Sequence, residues 1–91
     1  MDIVFGTTTA TIDRSDAFKL QTMAASVLNN RPTFRSVKAK VGTLHGDIYT
    51  ECVRAHGNAE RLTVKAGDTC VHLWGEDRAA LAQLISDTQR F

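Results

Sequence analysis

The chain has 91 residues, 43% of them hydrophobic and 23% charged, which is room for one hydrophobic core and no more. This composition lies away from the disordered, collagen-like and disulfide-rich classes. No apolar run approaches the roughly 18 residues of a membrane span, and no basic-then-apolar leader opens the chain. Eleven Lys and Arg against ten Asp and Glu give a formal net charge of +1, too little for a general attraction to nucleic acid or membrane. The expectation is a cytoplasmic, intracellular protein without a membrane partner.

Asp2 to Ile12 is rich in Thr, Val, Ile and Phe and reads as extended. Gly6 and the three threonines after it mark a kink or an edge, so this segment is expected as a fifth strand at a sheet edge or as an arm. A first helix follows. Asp13 or Ser15 is placed to cap it, and Ala17, Leu20, Met23, Ala24, Val27 and Leu28 recur at helical spacing. Asn29 and Asn30 suit its C-terminal cap, and Pro32 stops it by disfavouring helical geometry in Arg31.

Between residues 34 and 74 the pattern changes to period two. His45-Gly46, Gly57-Asn58 and Gly67-Asp68 read as turns, giving strands near 34–44, 47–56, 60–66 and 69–74. Connections this short require antiparallel neighbours. The turns pair Lys40 with Glu51, Ala39 with Cys52, Glu51 with Lys65, Val64 with Val71 and Arg61 with Trp74. They also set Tyr49 across from Gly42, where an aromatic would cover the glycine. A second helix starts after Gly75, with Glu76 and Asp77 where the helix dipole favours negative charge. It buries Leu81, Leu84, Ile85 and Thr88 and carries Arg90 at its favourable end. The predicted architecture is α+β, a four-stranded antiparallel meander with two helices packed on one face, in the order β-α-β-β-β-β-α.

The register sorts the strands into two faces. Val37, Ala39, Ile48, Cys52, Leu62, Val64 and Leu73 point toward the helices, and Arg54 follows them unless it snorkels outward. Lys38, Lys40, Tyr49, Glu51, Val53, Arg61, Thr63, Lys65, Cys70, His72 and Trp74 point away. On that outer face Lys38, Lys40, Arg61 and Lys65 stand against Glu51 alone, an excess of three positive charges.

Several kinds of chemistry are weighed on this surface. Cations beside flat rings suit single-stranded nucleic acid, although solvated charge is the ordinary state of an open sheet. Trp74 and Arg61 are hot-spot residue types for a protein partner or a homodimer. Zinc is disfavoured because Cys52 and Cys70 point to opposite faces, and Cys52 and His56 stand about 13 Å apart along a strand. The two cysteines match neither a disulfide framework nor a redox pair. Cys70 and His72, or His72 and Thr63, make a conceivable nucleophile and base. The spacing of about 6.5–7 Å between Cys70 and His72 along one strand, and the lack of an obvious carboxylate to orient the imidazole, count against this chemistry. His45 and His56 read as exposed turn residues.

The sequence therefore predicts a non-enzymatic binding module without cofactor or metal. Its expected contact residues are Lys38, Lys40, Tyr49, Arg61, Lys65, His72 and Trp74. A protein partner or a second copy is the leading expectation, nucleic acid the alternative, and a small hydrolase-like enzyme using Cys70 and His72 the third.

Overall fold

The computed structural model describes residues 1–89, so Arg90 and its expected place at the helix end lie outside the described residues. Six strands pair antiparallel in chain order: β1 (Asp2–Phe5), β2 (Thr8–Ile12), β3 (Ser36–Val41), β4 (Leu44–Val53), β5 (Ala59–Ala66) and β6 (Thr69–Trp74). Two helices, α1 (Ala17–Leu28) and α2 (Arg78–Thr88), complete an α+β architecture. The sheet thus has six strands where a four-stranded meander, with at most a fifth strand at its edge, was expected.

The difference arises at Gly6. Its φ of +65° is a left-handed conformation that costs glycine nothing, and it folds the N-terminal segment into a hairpin. Asp2 pairs with Thr11 and Phe5 with Thr8, and β2 then joins β3 through Thr11–Lys40 and Ile12–Ala39. The segment is neither an arm nor a lone edge strand. Its turn reaches the far edge of the sheet, because a methyl group on Gly6 would meet the Leu73 side chain at 3.4 Å and Val71 at 3.8 Å. The sheet therefore curls around the helices.

Both helices lie on one face. Leu20, Met23, Ala24 and Val27 of α1 and Leu81 and Leu84 of α2 join Ile3, Phe5, Ala10, Ile12, Val37, Ile48, Leu62, Val64 and Leu73 in one buried cluster. Asp13 caps the short 3₁₀ turn Arg14–Asp16 that leads into α1, accepting from the Ser15 N–H at 3.0 Å. Asn30 ends α1 in the left-handed region at φ +51°, as its position after the helix predicts. Asp77 accepts the Trp74 N–H at 2.7 Å, tying β6 to the start of α2.

The β5–β6 register is the expected one, with Val64 on Val71 and Arg61 on Trp74. The two other hairpins are displaced. The first turn lies at Gly42-Thr43, with Gly42 at φ +63°, so Val41 faces Leu44 and Ala39 faces Gly46 rather than Cys52. Tyr49 consequently lies across from Ser36 and not Gly42. In the next hairpin Glu51 faces Arg61 rather than Lys65. Both displacements are even, and with a side-chain period of two an even slip leaves every residue on its own face. Two assignments at the end of β4 do change. Arg54 lies exposed in a 3₁₀ turn, Arg54–His56, because β4 stops at Val53. Cys52, expected in the core, stands opposite Glu60 where nothing covers it, and is exposed.

No helix among the described residues is long and apolar enough to cross a membrane.

Candidate functional site

The face away from the helices is built of cross-strand rows. Lys38, Asp47, Lys65 and Cys70 form one, Ser36, Tyr49, Thr63 and His72 the next, and Glu51, Arg61 and Trp74 a third. Lys40 stands in a further row with Asp2, Thr11 and His45. All seven expected contact residues thus share one surface. The local charge does not match the expectation. Asp47, expected as the first residue of its strand across from Leu44 and not counted on this face, lies inside β4 facing both Lys38 and Lys65, and the first hairpin adds Asp2. Four cations against three carboxylates leave the face close to neutral.

Its centre is a polar network. The Arg61 Nε–H donates to Glu51 Oε2 at 2.5 Å, and the Thr63 hydroxyl donates to the same oxygen at 3.0 Å. Thr63 Oγ1 also lies 2.8 Å from His72 Nδ1, and His72 Nε2 lies 3.8 Å from Cys70 Sγ. Thr63 is fully buried although it points away from the core, because its neighbours close over it. Extended side chains bridge what backbone spacing leaves open, so Cys70 and His72 meet despite their separation along β6. A carboxylate, Glu51, does stand behind the imidazole, one hydroxyl removed.

Trp74 is half-buried. The Arg61 guanidinium lies 5.1 Å from its ring centroid, a cation–π contact. The His56 ring leans against it at 4.9 Å and 53°. His56 is therefore a packing partner of Trp74, a role its place at a turn did not signal. Beside Trp74 an open cleft of about 740 Å³ is lined by Leu28, Asn30, His56, Glu60 and Arg78 among others. Glu60, only 4% exposed, was missed because its position at a strand start reads as solvated. Its N–H donates to Asn30 Oδ1 at 2.9 Å.

Burial pushes the Tyr49 hydroxyl upward, assisted by the negative charge of Glu51 and by Cys70, so Tyr49 remains a hydrogen-bond donor. Burial also raises the Glu51 carboxyl. The Arg61 and Thr63 hydrogen bonds and the Arg61 charge together outweigh it, holding Glu51 below its ordinary 4.5. A pKa depressed by folding contributes stability that is complete above the unfolded value and is lost as pH falls through the folded one. Urea unfolding at stepped pH is expected to give a gap between wild type and Glu51→Gln that is constant above about pH 5 and shrinks below it. A gap that persists undiminished into strong acid would show that ionised Glu51 does not stabilise the network.

Comparison with protein-family models, with curated proteins and with solved structures finds no match to this chain.

Proposed function

We propose that the chain is a binding module, rather than a catalyst, and that it docks a partner protein on its uncovered sheet face. The observation that carries the proposal is the one-sided packing. Both helices cover the same side of a six-stranded sheet, and the other side bears a half-buried tryptophan braced by Arg61 and His56. Trp and Arg dominate binding energetics where they are already ordered, because little side-chain entropy remains to be lost on association. Arg61 is neutralised by Glu51, whereas Lys38, Lys40 and Lys65 form no ion pair among the described residues. The matching partner surface carries an apolar or aromatic centre flanked by carboxylates.

The same residues argue less well for nucleic acid. Asp2, Asp47 and Glu51 are interleaved with the cations and would repel a phosphate backbone. Arg61 and His56 occupy ring surface that a stacking base would need.

The test begins with a partner purified by its association with the wild-type protein and then titrated in isolation. Trp74→Ala and Arg61→Ala are each expected to weaken its binding by at least about tenfold, as hot-spot truncations do. Phe18→Ser, on the helical side, is expected to leave it unchanged. Full affinity in both face variants, with circular dichroism showing them folded, would remove the proposal. Sedimentation is expected to show a monomer without the partner, whereas a dimer dispersed by Trp74→Ala would assign the face to a second copy. Titrating the Trp74 emission with single-stranded oligonucleotide at low salt is expected to give no saturable change. A strong change reversed by salt would favour nucleic acid instead.

A further inference from the structure

The hydrogen-bond chain on the uncovered face has a direction, and the direction sets the state of His72. Glu51 is held ionised by Arg61 and only accepts, so the Thr63 proton is spent on Glu51 Oε2. Thr63 is fully buried, and no other proton remains on its oxygen to give to the imidazole. The 2.8 Å contact between Thr63 Oγ1 and His72 Nδ1 therefore has the ring N–H as donor. Neutral His72 carries its proton on Nδ1 and presents the Nε2 lone pair to the Cys70 thiol at 3.8 Å. The thiol itself is exposed. A base with its tautomer fixed by a hydroxyl and a carboxylate, facing an exposed thiol, is the arrangement that activates a cysteine nucleophile.

We propose that Cys70 is a base-assisted nucleophilic thiol and a site of mixed-disulfide formation with small anionic disulfides. His72 is its proton carrier, and Thr63 and Glu51 are positioning residues. In the step, His72 Nε2 takes the Cys70 proton and the sulfur attacks one sulfur of the reagent. A bond forms between Cys70 and that sulfur as the reagent's own S–S bond breaks. The departing thiolate takes the proton back from Nε2. Cys70 is oxidised to the mixed disulfide while the other half of the reagent is reduced to a free thiol, so no further oxidant is needed. The preference for anions comes from Lys65, the direct cross-strand neighbour of Cys70, which has no ion-pair partner among the described residues. A disulfide bearing carboxylates, such as oxidised glutathione, has this chemistry. Nothing in the reaction depends on the docking proposed above, and it is measured without a partner.

Cys52 is the internal control. It is also exposed, but interaction with the Glu60 side chain directly across the strands pushes its thiol upward, which disfavours the reactive thiolate. The experiment treats the wild-type protein with oxidised glutathione at neutral pH and follows each cysteine by peptide mass mapping. Cys70 is expected to react at least about tenfold faster than Cys52, a threshold set below the roughly hundredfold at the low end of what a positioned base supplies. Equal rates, or a faster Cys52, would overturn the proposal without recourse to any variant. His72→Ala is expected to bring Cys70 down toward Cys52, with free imidazole restoring part of the rate. Thr63→Val is expected to slow Cys70, and Thr63→Ser to restore it. Lys65→Glu should slow oxidised glutathione more than neutral dithiodipyridine. A Cys70 rate indifferent to His72→Ala in the folded variant would also overturn the assignment.

Discussion

Phe5→Ala is expected to cost about 3–5 kcal/mol, the range for truncating a fully buried aromatic. Against a total stability of roughly 5–14 kcal/mol for a chain of this length, that loss takes a large share of what holds the protein folded. Phe5 ends β1, has no exposed surface and is among the largest fully buried side chains of the core cluster. Its neighbour Val4 points to the other face and is 43% exposed, so Val4→Ala is expected to change stability by no more than about 0.5 kcal/mol. Phe5→Leu, which keeps most of the volume, should fall between the two. The contrast decides what the N-terminal hairpin is. If it were an arm laid on a finished domain, both alanine variants would melt with the wild type. As two strands of the sheet, with Gly6 against Leu73 and the Val4 N–H donating to Asp87 of α2 at 3.1 Å, it contributes core that the rest cannot replace. Urea unfolding of the three variants gives the answer, and equal midpoints for Phe5→Ala and Val4→Ala would refute the structural assignment.

What the sequence made legible follows from how strongly each signal constrains the chain. The apolar stripe of α1, its Asn29-Asn30 end and the β5–β6 hairpin each rest on a strong pattern and are where the spacing places them, whereas Asp13, one of two cap candidates, caps the 3₁₀ turn before α1 and not α1 itself. The face of each residue in the β3–β4 and β4–β5 hairpins was legible even where its partner was not. Alternation fixes the parity of a strand, whereas only the turn fixes its register. The turn was misplaced because His45-Gly46 has the composition of a hairpin loop, while Gly42-Thr43 does not stand out. The even slip kept Asp47 on the outer face by parity, so its omission from the charge count, together with the unforeseen hairpin that adds Asp2, made a near-neutral surface read as basic. The polar network was hidden for a different reason. Glu51, Thr63 and His72 were all placed on the outer face, but their contacts depend on side-chain reach across the rows, which backbone spacing does not report. Cys52 and Arg54 were misjudged because alternation says nothing about where a strand ends.

Gly46→Ala is expected to destabilise the protein by about 3 kcal/mol or more, at the upper end of overpacking costs. An alanine Cβ there would stand 1.9 Å from the Lys65 carbonyl oxygen, 2.6 Å from Ala66 Cα and 2.7 Å from the Lys65 carbonyl carbon. All three are backbone atoms, so no side chain can swing away and β4 must part from β5. Gly42 makes the comparison. A Cβ at Gly42 meets nothing within 4 Å, and its φ of +63° predicts a cost of only about 1–2 kcal/mol for alanine. The glycine that resembles a turn is therefore a close approach, and the one that resembles nothing is the turn. The consequence reaches the site, because the ladder that begins at Gly46 and Ala66 also sets Tyr49 on Thr63 and Glu51 on Arg61. Under conditions where Gly46→Ala is still folded, amide exchange should quicken along β4 and β5, and the rate advantage of Cys70 over Cys52 should fall. In Gly42→Ala, exchange should quicken only at the first turn, with the Cys70 rate unchanged. Equal stability of the two variants would mean that β4 and β5 separate at little cost, and the Glu51–Thr63–His72 chain would then lack the rigid ladder that aligns it.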